Sequence, residues 1–343
     1  MARHNCHAAD ARAKLTGVSL TSELENPESR FSVFMDQELP GIGSFVAQIA
    51  PGLPAILART ERGHNQANSW QMIGTAIDYR LRLAFAADAV ARSSAFAAGM
   101  MCARTHAGRE DDPDGEAYRQ IADLGNDMLL RLESMTRAND PSDRNRPLVM
   151  GSTVEEDLCR LCYMAAWYDA LGRTGDLRDG RTGVLSFIAV YSSVLDDMLD
   201  SVPHAAVANM LELLRYAARS ELGELRAKAR AAVPGPCFAG SVDVNGADAD
   251  LIVDDLLLEI KTHRNPANHL RESLRQLLGY MLLDYDDSHR IRRVGLYYTR
   301  HAHLSRWDAG NLIRALGAES GLAELRRRCA DALSQREPGR ASY

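Results

Sequence analysis

The sequence predicts a mixed α/β protein of the α+β kind, in which a large, mainly helical amino-terminal region precedes a smaller unit with strands. Apolar residues recur at helical spacing through roughly the first 215 residues, between polar loops. After Pro236 the pattern changes to three short runs rich in β-forming residues. A helical run and a further strand-like run follow, which gives the order helix, three strands, helix, strand. We therefore divide the chain into residues 1–204 and residues 205–343.

Within the first region, long helical tracts dominate. The stretch SWQMIGTAIDYRLRLAFAADAVARSSAFAAGM predicts one long Ala-rich helix, and YRQIADLGNDMLLRLESMTR predicts another. A third helix is expected to begin at GSTVEEDL, where Ser152 with Glu155, or Thr153 with Glu156, could form a capping box.

The second region carries the predicted sheet. Its first helical tract is expected to end near residue 232, and the three strands are expected at CFAGSVDV, ADADLIVDD and LLLEIKTH. Asn245-Gly246 and Asp254-Asp255 are typical of the turns between them. The stretch NPANHLRESLRQLLGYMLLDYDD then predicts a helix, and RRVGLYYTR predicts a fourth strand, with HLSRW as a short strand beside it. Helices are expected again towards the carboxyl terminus.

Composition and charge restrict the classes of function only weakly. The 343-residue chain is 46% hydrophobic, with a net charge of −6 and a pI near 5.9, so contact with a polyanion would need a local basic patch. No charged-then-apolar leader and no apolar run of about 18 residues is seen, which predicts a cytoplasmic protein without a membrane segment. Cys159 and Cys162 form a CxxC inside a predicted helix, without a second metal-binding pair, so we expect them in the core.

Four charged side chains lie in the strand-like stretch ADADLIVDDLLLEIKTH. Asp248 and Asp250 share one face of their strand, and Glu259 and Lys261 share one face of the next. A tight turn between the strands would bring the two acidic faces together. A divalent cation removes the repulsion between carboxylates, and Mg²⁺ prefers such ligands together with waters and a substrate phosphate. A lysine beside the metal could orient or deprotonate an attacking water, or stabilise charge in the transition state, so this set suits hydrolysis of a phosphodiester.

Asp250 followed by Glu259-Ile260-Lys261 resembles the active-site motif of the PD-(D/E)XK nuclease superfamily. Gln276 and Tyr280 resemble the QxxxY of its RecB-like exonuclease branch, and their spacing of four residues puts both on one side of a helix. The resemblance covers roughly residues 205 to 307, under a third of the chain. It implies a restriction-endonuclease-like core with the order helix, three strands, helix, strand, which is the order predicted above.

The resemblance also implies a role for each residue of the motif. Mg²⁺ or Mn²⁺ would be bound by Asp250, Glu259 and the backbone carbonyl of Ile260. Lys261 would activate or orient water, and the QxxxY pair would hold the lysine or a phosphate. Cleavage would leave a 5′-phosphate.

Two aspartates allow more than one interpretation. Asp248 is either a second metal ligand or a turn residue, and no proline precedes either aspartate of the motif. RecB-like proteins often carry an upstream GxxxH histidine as an extra ligand, and this chain has Asp78 in that position after Gly74. Asp78 could reach the metal, with Arg80 and Arg82 near a phosphate. The favoured interpretation is a helical aspartate that pairs with a neighbouring arginine.

Basic residues near the predicted site are candidates for contact with nucleic acid. Arg264, Arg271 and Arg275 make the helix after the third strand locally basic, and His263 could touch a phosphate. Contacts of this kind position a backbone without reading its sequence. A solvated surface is the alternative in each case.

These observations predict a metal-dependent nuclease that hydrolyses DNA phosphodiester bonds, in DNA repair or in defence against foreign DNA. The helical region would select the substrate or bind a protein partner. The alternatives are a nucleic-acid-binding module that keeps the fold without turnover, and an RNA nuclease. RNA ranks below DNA because no aromatic stacking platform stands out. The sequence specifies neither the oligomeric state nor whether cleavage is endonucleolytic or exonucleolytic.

Overall fold

The computed structural model describes residues 19–58, 69–138, 143, 147–179, 185 and 194–334. Within these residues the protein has a mixed α/β fold, in which helices predominate and five strands form one sheet. The helices are α1 (Leu20–Glu25), α2 (Arg30–Glu38), α3 (Ile42–Ile49), α4 (Ser69–Leu83), α5 (Ser94–Ala107), α6 (Gly115–Ala138), α7 (Ser152–Thr174), α8 (Leu195–Asp200), α9 (His204–Ala218), α10 (Glu221–Lys228), α11 (Leu270–Leu283), α12 (Ala309–Ala315) and α13 (Leu322–Ser334). The strands are β1 (Ala232–Pro234), β2 (Leu251–Val253), β3 (Leu256–Lys261), β4 (Arg293–Tyr298) and β5 (His303–Asp308).

The sheet keeps the chain order β1-β2-β3-β4-β5. Neighbouring strands are antiparallel, except that β3 and β4 are parallel, from Leu256 opposite Arg293 to Lys261 opposite Tyr298. Parallel neighbours need a crossover, and α11 supplies it. Between β2 and β3 the predicted Asp254-Asp255 turn is confirmed, with Asp254 in the left-handed region at φ 54°. The order helix, three strands, helix, strand follows from α10 to β4.

Helices cover both faces of the sheet. One face packs against α4 to α10, which we call the first helical layer, through side chains such as Leu251, Leu258 and Ile260. The other face packs against α1 to α3 and α11 to α13, the second helical layer, through side chains such as Ile252 and Leu257. The alternation of the two sets along β2 and β3 is the period of a strand buried on both sides. The sheet is therefore the middle layer of three.

The predicted boundary near residue 204 does not coincide with a gap in packing. Side chains from both sides of it belong to the apolar core of the first helical layer. The division into residues 1–204 and 205–343 stays a prediction about folding units. None of the helices in the described ranges is long and apolar enough to cross a membrane. Cys159 and Cys162 are completely buried free thiols of α7, as expected for core residues.

Three predictions about local structure were wrong, and a short-range side-chain contact explains two of them. CFAGSVDV is not a strand: Ala239–Val244 forms a 3-10 helix, and the first strand is Ala232–Pro234. The Ser241 hydroxyl accepts from Phe238 N at 3.0 Å and donates to Ala247 O at 2.7 Å, which favours a compact turn over an extended strand. The long Ala-rich tract is two helices, because Ser93 caps α5 by accepting from Phe96 N at 3.3 Å.

The third correction concerns the start of α7. Its N-cap is Gly151, without a side-chain cap, so neither predicted capping box is formed. Glu155 accepts instead from Met150 N at 2.7 Å and is buried against Arg80 of α4. A carboxylate within the first turn therefore neutralises an arginine of another helix.

Candidate active site

The candidate site lies where β2 ends and β3 continues, paired with β4 on its other side. Leu251 opposite Leu258 is the last β2–β3 pair, and Glu259, Ile260 and Lys261 extend beyond it. The side chains of the two strands replace the missing ladder bonds. Asp250 N donates to Glu259 Oε1 at 3.0 Å, and Ile260 N donates to Asp250 Oδ2 at 2.6 Å. Because backbone groups that leave a ladder need partners, the fork itself holds the two predicted metal-binding carboxylates side by side.

A chain of hydrogen bonds links this fork to α11. Lys261 Nζ lies 2.8 Å from Glu259 Oε2 and 2.7 Å from Gln276 Oε1. Gln276 Nε2 donates to Tyr280 Oη at 2.9 Å. The spacing of four residues puts Gln276 and Tyr280 on the same side of α11, as predicted. The five residues from Asp250 to Tyr280 that were singled out from the sequence thus form one connected group.

Asp78 comes to the same place from the first helical layer. It forms an ion pair with Arg82 one turn later on α4, which is the interpretation favoured from the sequence. It also faces the fork: burial raises its pKa well above the usual value, Arg82 lowers it, and the charges of Asp250 and Glu259 raise it further. Asp78 Oδ1 is buried and has no hydrogen-bond partner among the described residues. The ion pair of Asp78 with Arg82 is therefore confirmed, and metal binding by Asp78 stays a prediction.

The carboxylates of the fork carry uncompensated negative charge. Burial, followed by repulsion from Asp250, raises the pKa of Glu259 to about 7, although Lys261 lowers it. Burial alone would lower the pKa of Lys261, but Glu259 and Asp250 attract the ammonium and the net shift is upward. Lys261 is therefore protonated at neutral pH, while Glu259 titrates near it.

Asp248 lies near Asp250 and Glu259, but it makes different contacts from theirs. It forms an isolated antiparallel β-bridge with Cys237, so it is extended and is not the turn residue of one of the two interpretations. Its Oδ2 accepts from Ser94 Oγ, at the start of α5, at 2.7 Å. Asp248 thus links the segment before β2 to α5 of the first helical layer. It stays a candidate second metal ligand.

These residues line a cavity of about 1370 Å³ at the end of the sheet, which α4 and α7 of the first helical layer and α1 and α11 of the second all line. Three further charged or aromatic residues of the lining were not predicted: Trp70, Asp169 and Arg173. Asp169 and Arg173 form an ion pair one helical turn apart on α7. A charged pair of that spacing within the apolar stretch CYMAAWYDALGRT was the available signal for these two. Nothing in the local sequence marks Trp70 as a lining residue.

The predicted nucleic-acid-binding set divides in two. His263 and Arg264 line the cavity, and Arg264 is exposed. Burial, and then repulsion from His269 and Lys261, lowers the pKa of His263 to about 4, so it is a neutral imidazole at pH 7. It stacks on His269 with ring centroids 4.2 Å apart. His263 can therefore offer a hydrogen bond or a ring face to a ligand, but no positive charge.

The other two arginines of that set, with Arg80, are placed elsewhere. Arg271 is exposed on α11 and is not among the described residues that line the cavity. Arg275 is buried: its guanidinium pairs with Asp36 and donates to Ser32 Oγ at 3.2 Å, so the prediction that it contacts nucleic acid is corrected. Arg80 is likewise buried, beside Glu155, and cannot reach a phosphate.

The donor atoms fit a hard divalent cation. Asp78, Asp250, Glu259 and the Ile260 carbonyl offer oxygen ligands, and both the partnerless Asp78 Oδ1 and the raised pKa of Glu259 indicate missing positive charge. Among the described residues, no group of three or more His, Cys, Asp or Glu side chains has a geometry that could already hold a metal ion. Mg²⁺ typically binds through one or two carboxylates, with waters and a substrate phosphate completing its shell. Asp250 and Glu259 meet that smaller requirement.

The local geometry is the basis on which a function can be assigned. It joins two carboxylates, a protonated lysine and an amide within hydrogen-bonding distance, at the edge of a cavity. No protein-family model, curated protein or solved structure matches the chain.

Proposed function

We propose that this protein is a metal-dependent deoxyribonuclease of the PD-(D/E)XK type with a restriction-endonuclease-like core. The observation that carries the proposal is the connected group Asp250, Glu259, Lys261 and Gln276 at the fork of β2 and β3. The element order and the parallel β3–β4 pair around α11 support it, because the resemblance of the sequence implies the same order. Asp78 adds a third carboxylate from outside the strand motif.

Each residue has a distinct task in hydrolysis. Asp250, Glu259 and the Ile260 carbonyl, with Asp78 next to them, would hold Mg²⁺ or Mn²⁺. The bound cation lowers the pKa of water and polarises a phosphoryl oxygen. Lys261 is protonated, so it acts as a donor: it orients the attacking water and stabilises the negative charge that develops on the phosphate. Its raised pKa argues against its being the base that removes a proton from water.

Gln276 and Tyr280 act through the lysine and are positioning residues. Gln276 Oε1 accepts from Lys261 and its Nε2 donates to Tyr280 Oη, so the two contacts fix the orientation of the amide. An inverted amide would turn its NH₂ group towards the ammonium. Lys261 is thereby held at one position by Glu259 and Gln276, which is what a preorganised donor requires.

The test is cleavage of supercoiled, linear and single-stranded DNA with Mg²⁺ or Mn²⁺, and with EDTA as the metal-free control. Lys261→Ala is expected to reduce the rate by about 100-fold or more. The matched control is Lys228→Ala, because Lys228 is 77% exposed on α10 and pairs with Glu224 in its own helix. Cleavage by the wild type that survives in Lys261→Ala would refute the assignment. Metal-dependent DNA binding without any cleavage would instead support the binding module, and cleavage of RNA alone would support a ribonuclease.

A further inference from the structure

Helix α4 lies beside the residues of the candidate site. A Cβ placed on Gly74 would lie 3.6 Å from Thr262 Cβ, which is next to Lys261. One turn further along α4, Asp78 faces Asp250 and Glu259. The side chains of Glu259 and Lys261 are 2% and 15% exposed, so the reacting groups lie between Asp78 of α4 and Gln276 of α11 rather than on an open face of the sheet.

A second contact joins the first helical layer to the lining of the cavity. Ser94 Oγ, at the start of α5, donates to Asp248 Oδ2 at 2.7 Å. The covering helix is also part of the core: Ile73 and Ile77 of α4 are 2% and 0% exposed. Moving α4 aside would expose this apolar surface to water, so α4 is a fixed wall.

This covering excludes intact duplex DNA from the lysine. A duplex presents two backbones, separated by grooves about 12 Å and about 6 Å wide, whereas the Lys261 side chain is only 15% exposed in a cavity that both α4 and α11 line. One strand is thinner and flexible. The cavity of about 1370 Å³ is also larger than the roughly 300–1,000 Å³ of pockets for small molecules, which leaves room for more than one nucleotide.

The wall of the cavity beside Lys261 suits unpaired bases. Trp70 and Ile56 are half-buried in the lining. The Arg300 guanidinium lies 4.5 Å from the centre of the Trp70 ring and its Nε donates to Thr262 O at 3.0 Å. The indole is thus tied to the strand end that carries the lysine. An aromatic and apolar wall gains free energy from bases that are not already stacked in a duplex.

We propose that the substrate is single-stranded DNA, a free strand or a frayed end, which enters this cavity with a phosphate at Lys261 and a base against Trp70. This inference rests on the proposed nuclease function and specifies its substrate. Trp70 is then a residue that determines specificity for unpaired DNA. Arg264, exposed at the edge of the cavity, would meet the backbone of the same strand.

Binding separates this inference from the question of turnover. In the Lys261→Ala background with Ca²⁺, fluorescence anisotropy would compare a labelled 12-mer strand with the blunt duplex of the same sequence and with a duplex carrying an unpaired tail. The single strand and the tailed duplex are expected to bind at least about tenfold more tightly than the blunt duplex. Equal or tighter binding of the blunt duplex would overturn the inference.

The role of Trp70 is tested with an oligonucleotide that lacks bases at its central positions. Trp70→Ala is expected to weaken binding of the normal strand about fivefold or more, but to leave binding of the abasic strand unchanged. Trp70→Phe should restore most of the loss. Trp307→Ala is the control, because Trp307 packs on Phe45 in the second helical layer. An equal loss for both oligonucleotides would mean that Trp70 does not contact a base.

The two proposals fail in different ways. Cleavage in the interior of a closed duplex at the rate of a single strand would leave the nuclease intact and refute the single-strand substrate. Base-dependent binding of single-stranded DNA without cleavage would leave the single-strand ligand intact and refute the nuclease. Tighter binding of the corresponding RNA strand would refute the assignment to DNA.

Discussion

Helix α4 carries two charged networks that begin two residues apart and face opposite sides. Arg80 points into the first helical layer, where its Nε and a terminal nitrogen lie 2.6 and 2.8 Å from the two oxygens of Glu155. Leu148 O and Met150 N add contacts at 3.1 and 2.7 Å. Both side chains are at most 2% exposed. We call this the structural network.

The second network, which we call the active-site network, consists of Asp78, Arg82, Asp250, Glu259 and Lys261. It is also buried, but its charges are not balanced by the described residues. Asp78 Oδ1 and Arg82 Nε are buried without hydrogen-bond partners in the described part of the chain, and the pKa of Glu259 is raised to about 7.

Of the two networks, the active-site network is the one that a ligand could complete. Buried charge is costly, and the structural network meets this cost with paired charges and hydrogen bonds on every side. The active-site network leaves an oxygen and a nitrogen unsatisfied next to a cavity. Acids with shifted pKa values and buried polar atoms without hydrogen-bond partners are typical of functional sites, where a substrate or ion completes the network.

The largest expected effect comes from breaking the structural network. Glu155→Ala should lower the free energy of unfolding by about 3–5 kcal/mol, because it leaves the Arg80 guanidinium buried without its counter-charge. Urea unfolding followed by circular dichroism measures this loss. Glu156→Ala, the neighbouring carboxylate on α7, is the control and should change stability little. A small effect of Glu155→Ala would show that α4 can turn Arg80 to solvent.

Removing a charge from the active-site network should instead raise the free energy of unfolding. The folded-state pKa of Glu259 is raised from 4.5 to about 7, so its contribution to stability is present below pH 4.5 and is lost as the pH rises through 7. In EDTA, Glu259→Gln, which mimics the protonated acid, should therefore be more stable than the wild type at pH 8 by roughly 3 kcal/mol. At pH 4.5 the two proteins should unfold at nearly the same urea concentration. If the difference in free energy of unfolding between the two proteins were the same at both pH values, that result would contradict the raised pKa.

The sequence was most informative where neighbouring residues decide the structure. The alternation along LIV and LLLEIK, with a turn between them, was enough to predict β2 and β3 and the meeting of Asp250 with Glu259. It was least informative where one serine redirects the chain, as Ser93 and Ser241 do. Such contacts compete with regular structure over a few residues and leave the hydrophobic pattern unchanged.

The remainder of the site depends on packing between distant segments. Trp70 reaches the cavity from a helix far from the strands in sequence, and no local pattern reveals that approach. The burial of basic residues was also invisible. Arg275 was expected at a phosphate, yet it pairs with Asp36 of the second helical layer. A cluster of arginines in a sequence does not reveal which of them already have a partner.

Adding the missing charge should stabilise the active-site network. At pH 8, Mg²⁺ or Mn²⁺ at roughly 100 times its Kd should raise the free energy of unfolding by about 2.7 kcal/mol, seen as an increase in Tm. Asp78→Asn should reduce that increase, because it removes one of the carboxylates that face the fork. The control Asp88→Asn removes an exposed aspartate that pairs with Arg92 and should respond to the metal like the wild type. Equal metal responses of both variants and the wild type would exclude Asp78 from the metal site.

The smallest expected effect distinguishes two exposed arginines of the predicted nucleic-acid-binding set. Arg264 lines the cavity and Arg271 does not appear in its described lining, although both are exposed and seven residues apart in sequence. If Arg264 contacts one backbone phosphate, Arg264→Ala should weaken binding of single-stranded DNA and reduce the slope of log K against log[salt] by about 0.7. Arg271→Ala should leave the slope unchanged. The measurement is a salt titration of oligonucleotide binding in the Lys261→Ala background. Equal slopes for the two variants would mean that an arginine lining the cavity contributes no more to DNA binding than one outside it. The DNA strand would then not pass Arg264.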